Sequence, residues 1–89
     1  MFDRNIVELA ARTVYIETKE SRLHYRTFTK KFVESMMGSY FKDFPNISAE
    51  AEIIMFVDYA EGGYGFGTNG FFNNLSFNLE KYYNKQLVS

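Results

Sequence analysis

Residues 52–59, Glu52-Ile53-Ile54-Met55-Phe56-Val57-Asp58-Tyr59, decide the fold class. The apolar run 53–57 suits a buried strand as well as a buried helix, because so short a run carries no period of its own. Its flanks separate the two. Ala49, Glu50, Ala51, Glu52 and Met55 favour helix. Ser48 with acids close behind it is a start signal, since the free N–H groups of a first turn favour negative charge. The expectation is a helix from Ser48 to about Glu61, with Ile53, Ile54, Val57 and Ala60 inward and Gly62 and Gly63 as its stop. Read as a strand, 52–59 would instead make the chain α+β.

Downstream, a glycine-rich connection, Gly63-Tyr64-Gly65-Phe66-Gly67-Thr68, leads to Thr68 or Asn69 as cap of a last helix through about Gln86. Phe71, Phe72, Leu75, Leu79, Tyr82 and Tyr83 share one side of it. Upstream, Asp3 caps a helix over about 4–19 with Ile6, Val7, Leu9, Ala10 and Val14 at helical spacing. Residues 22–28 read as strand, loop or helix. From Thr27 the period is strong: Phe32, Val33, Met36, Met37, Tyr40, Phe41 and Phe44 form one wide stripe, and Pro45 stops it. The sum is an all-α, four-helix bundle-like single domain over 1–89.

At 89 residues there is room for one core only. Zero Cys removes disulfides, thiol nucleophiles and Cys-ligated zinc, and one His removes imidazole clusters, so no cofactor or metal is expected. A Ser/His/Asp arrangement would need His24, and nothing nearby resembles a nucleophile elbow. The acids Asp58 and Glu61 stand three apart on one helix, a common solvated pairing. The expectation is a protein that is not an enzyme. No apolar leader opens the chain, since Asp3, Arg4, Glu8 and Arg12 interrupt it, and no run approaches the roughly 20 residues that span a bilayer. The expected place is therefore the cytoplasm, away from membranes.

Net charge is −1, but it is unevenly spread. Residues 19–31 carry Lys19, Arg22, Arg26, Lys30 and Lys31 against Glu20 alone. Residues 46–80 carry Glu50, Glu52, Asp58, Glu61 and Glu80 with no base. The plain reading is two solvated faces. The functional readings are an acidic surface that meets a basic partner, or a basic patch, with His24, Tyr25 and Phe28 among it, that holds nucleic acid weakly at most.

The stretch Gly65-Phe66-Gly67-Thr68-Asn69-Gly70 matches G-x-G-x-x-G, yet only 19 residues follow it. They leave no space for the returning strand of a dinucleotide fold. The motif reads as a helix–helix connection needing positive φ. Tyr64 and Phe66, between glycines, are candidate interface anchors or core caps. In the last helix Asn73, Asn74, Ser76, Asn78 and Asn84 make a neutral polar face beside Phe77 that suits a contact surface such as a homodimer.

The segment 57–75, from Val57-Asp58-Tyr59-Ala60-Glu61-Gly62-Gly63 to Gly70-Phe71-Phe72-Asn73-Asn74-Leu75, resembles small uncharacterised phage accessory proteins. In these a helix ends at glycine and the next opens with Gly-Phe-Phe. The resemblance implies an αα-hairpin and a phage setting, hence host cytoplasm. By analogy with such proteins, the first functional expectation is an inhibitor that binds a host or defence-system protein, of anti-CRISPR or anti-restriction type. Asp58, Glu61, Tyr64 and Phe66 would form its partner surface. The alternative is a small nucleic-acid-binding or regulatory module using Lys19, Arg22, Arg26, Lys30 and Lys31.

Overall fold

The computed structural model describes residues 1–44 and 48–88. Four helices follow one another: α1 (Arg4–Thr18), α2 (His24–Ser39), α3 (Ser48–Tyr64) and α4 (Asn69–Val88). The run 52–59 is helical throughout, and no strand occurs among the described residues. The all-α reading holds.

Each helix packs on two others. α1 and α3 both touch α2 and α4 but not each other, which makes a square bundle. Ring contacts give the direction. Phe2 meets Tyr83 at 5.3 Å, and Tyr15, some four turns along α1, meets Phe72 at 5.6 Å. Position therefore rises in one helix as it falls in its neighbour. The bundle measures 38 × 21 × 21 Å, its long axis close to α4, about 30 Å at 1.5 Å per residue.

One core cluster draws on all four helices, with Phe28, Phe32, Phe41, Ile53, Val57, Phe71, Leu75 and Leu79 fully buried. Asp3 caps α1 as expected, its Oδ1 accepting from the N–H groups of Asn5 and Ile6 at 3.0 and 3.2 Å. Arg12 ties α1 to α4. Its Nη2 donates to Glu8 at 3.0 Å and to Asn69 at 3.1 Å, and the guanidinium lies over Phe72.

Two boundaries differ from expectation. α2 begins at His24, ahead of Thr27, and closes at Ser39, well before Phe44. Gly38, Ser39 and Tyr40 are weak helix formers, and the N–H groups of Tyr40 and Phe41 both donate to the Met36 carbonyl. That turn buries Phe41 completely against Tyr82 and Tyr83. Pro45, Asn46 and Ile47 lie outside the described residues.

Gly62 and Gly63 do not stop α3, which runs on to Tyr64. The stop is Gly65, at φ +79, with its N–H on the Glu61 carbonyl at 3.1 Å. Two helical glycines cost roughly 1 kcal/mol each relative to alanine. Docking of the following turn offsets this, because Tyr64 lies against Gly70 so closely that a Cβ there would meet its ring at 2.7 Å. Thr68 then joins both helices. Its hydroxyl donates toward the Tyr64 and Gly65 carbonyls and accepts from the Phe71 N–H, so it caps α4.

Gly62→Ala meets open space and an ordinary helical backbone, so it should stabilise the fold by about 0.5–1 kcal/mol. Gly67→Ala should do the reverse: its φ is +88 and its Cβ would fall 2.5 Å from the Tyr15 hydroxyl. Urea denaturation of the two variants checks both signs.

Candidate functional site

Asp58 and Glu61 stand on the exposed side of α3, and Tyr64 ends it with its ring half in solvent. Beside Asp58, Met55 and Tyr59, one turn apart, are 62% and 64% exposed. In the sequence this pair is hidden among the inward-facing residues of the same run. Their i,i+4 spacing was the available signal.

Phe66 behaves differently from its expected partners. Gly65 and Gly67, both at positive φ, turn the ring inward, where it is half-buried. It meets Tyr15 and His24 at 4.9 Å, Tyr25 at 5.1 Å, and Phe28 and Phe71 at 5.3 Å. Its place is that of a core cap. His24 belongs to the same cluster, with Nε2 3.0 Å from the Tyr15 carbonyl.

The basic segment divides. Lys19 and Arg22 sit in the α1–α2 connection, and Lys31 is exposed on α2 beside a recess shared by Leu23, Arg26 and Lys30. Arg26 and Lys30 also line a groove of about 580 Å³ between α2 and α3. Its opposite wall carries Glu50 and Asp58, Glu34 stands on the α2 side, and Val33, Met37 and Ile54 supply apolar surface. Two charge clusters that read as separate faces thus meet across one groove. They do not neutralise each other directly: the one ion pair among the described residues is Arg12–Glu8.

Tyr25 closes one end of the groove by donating its hydroxyl to Asp58 at 2.6 Å. Burial, then the hydrogen bond to Asp58 and the charges of Asp58 and Glu61, push its pKa well above the usual tyrosine value. Burial also raises that of Tyr82, with the Glu52 charge adding to it.

The expected neutral face of α4 is broken up. Ser76 is buried and donates to the Asn73 carbonyl at 3.0 Å. Asn74 is half-buried beside Tyr64 and Phe77, while Asn73 and Asn84 stay exposed. Phe77 lies between two cations, Arg4 at 5.6 Å and Lys81 at 5.2 Å from its ring. No group of three acidic or histidine side chains among the described residues is placed to hold a metal ion. No described helix is long and apolar enough to cross a membrane.

Phe66→Ala should cost about 2–4 kcal/mol, because five ring contacts go with it, whereas Tyr64→Ala, which loses its packing on Gly70, should cost about 1–2 kcal/mol. Chemical denaturation of each single variant checks this order. A raised tyrosine pKa also has a sign. The folded chain holds the Tyr25 proton above pH 10, where the unfolded chain releases it, so stability is full below about pH 10 and falls above it. Urea midpoints between about pH 9 and 11 should therefore fall less steeply in Tyr25→Phe than in the native chain.

No known protein family, no curated protein and no solved structure matches this chain.

Proposed function

We propose that the chain is a non-enzymatic interaction protein that binds a host or defence-system protein and blocks it by occlusion. This is the phage-type inhibitor role its sequence resemblance implies. The observation that supports this reading is the outer side of α3. Met55 and Tyr59 are held in water there, next to the carboxylate of Asp58, with that of Glu61 one turn beyond it. Fully burying one such side chain is worth roughly 1.5–3 kcal/mol, and grouped exposed apolar residues mark contact surfaces. An aromatic anchor with acids around it suits a basic partner: the ring supplies affinity and the charges speed encounter. Phe66 supports the surface from beneath by fixing the end of α3.

The nucleic-acid reading gains less from the geometry. Arg26 and Lys30 face Glu50 and Asp58 across their groove, with Glu34 alongside. A polyanion laid there would meet carboxylates, so any binding should be weak and lost with salt.

Pull-down from infected host cells, read by mass spectrometry, tests the proposal. The native chain should retain a partner that Met55→Ala with Tyr59→Ala retains at least tenfold less. Both chains should melt within a few degrees of each other. Equal retention by a folded double variant would place the contact elsewhere.

A further inference from the structure

α1 carries two apolar stripes. One, with Val7, Ala11 and Thr18, is buried in the bundle. The other, Ile6, Leu9, Thr13 and Ile16, points away from it. Ile6, Leu9 and Ile16 are 56%, 64% and 62% exposed, and Thr13 is exposed between them. Their spacing of three, four and three residues is that of a helix seam meant for another helix. At 100° per residue, Glu17 lies about 20° beyond Ile6 on one side of this seam, and Lys19, the C-cap of α1, about 60° beyond Ile16 on the other.

The α2–α3 groove is the reciprocal shape. It runs from Tyr25 to Met37, about 18 Å along α2, against about 15 Å for the stripe from Ile6 to Ile16. Its apolar surface is Val33, Met37 and Ile54, with Arg26 and Lys30, and Glu34 one turn beyond them, on one wall and Glu50 and Asp58 on the other. Laid in one of its two directions, α1 sets Glu17 toward the basic wall and Lys19 toward the acidic wall. We propose that the outward stripe of α1 docks in the α2–α3 groove of a second copy, so that the chain assembles head to tail.

The arrangement is heterologous. α1 touches α2 and α4 but not α3, so stripe and groove open on different sides of the bundle. Two copies cannot satisfy both contacts at once, and each dimer leaves one stripe and one groove free. Such contacts build rings or filaments. One helix in one groove lies at the low end of specific interfaces, about 1,200 Å² or less in total. Assembly is therefore expected at high-micromolar chain. Asp58 belongs both to this groove and to the α3 face, but Met55, Tyr59 and Tyr64 lie outside it. Loss of partner capture and loss of self-assembly are thus separable.

Sedimentation velocity of the full chain, from roughly 10 μM to 1 mM, tests the proposal. The native mass should rise beyond that of a dimer. A stripe variant, Leu9→Lys with Ile16→Lys, and a groove variant, Arg26→Glu with Lys30→Glu, should each stay monomeric. All four positions are exposed, and circular dichroism should show both variants folded. Mixed in equal amounts, the two variants retain one intact stripe and one intact groove, so they should form a 1:1 dimer and stop there. Adding Glu17→Lys to the groove variant should restore growth. A native chain that stays monomeric at 1 mM, or that stops at a dimer, overturns the proposal. So does a mixture that does not pair.

Discussion

The contact on which the rest depends is the meeting of Phe28 with Tyr15, Phe66 and Phe71. These rings come from α2, α1, the 65–68 connection and α4. The chain has no tryptophan and no disulfide, and its core is filled by phenylalanine and tyrosine with leucine, isoleucine, valine, alanine and methionine between them. Flat rings set edge to face fill such a space without long flexible side chains, each pair adding about 0.5–1.5 kcal/mol beyond burial. The cluster fixes where α3 stops, because Phe66 can enter it only if the backbone turns at Gly65 and Gly67. It therefore also sets the height at which Tyr64, Glu61 and Asp58 stand on the surface.

At the other end the same chemistry recurs with different partners. Phe2, Tyr40, Phe41, Phe44 and Tyr83 close the bundle, and Phe41 leaves the helix to do so. Between the two aromatic ends α2 and α3 run side by side under a lighter seam, with polar side chains at its mouth. The groove is a consequence. Bulky rings hold the ends of the bundle, and nothing comparable fills the outer side of its middle.

Much of the fold was legible because it rests on local chemistry. The Asp3 cap, the stripe from Phe32 to Met36 and the start at Ser48 each follow from residues a turn apart. The choice of helix over strand for 52–59 followed from its flanks. The ends were less legible. Gly62 and Gly63 looked like a stop because propensity favours one there, yet the packing of Tyr64 on Gly70 carries the helix past them. Phe66 looked free because glycines flank it, although their positive φ values are what turn it inward. The groove was hidden for another reason. Charges counted by segment became two faces, whereas the antiparallel packing of α2 on α3 brings Arg26 and Lys30 level with the middle and end of α3.

The Thr68 hydroxyl, shared between the end of one helix and the start of the next, bears on how the chain reaches this state. The α3–α4 connection spans four residues, the shortest of the three, and closing a short loop forfeits the least chain entropy. Its ends are pre-set by two glycines and a side chain that serves both helices. The α3–α4 hairpin is thus the tertiary pairing with the lowest entropic threshold, on which α1 and α2 can then assemble. The pairing of α1 with α4 joins the two ends of the chain and comes last, and a helical bundle of this kind belongs to the topologies that fold in microseconds to milliseconds.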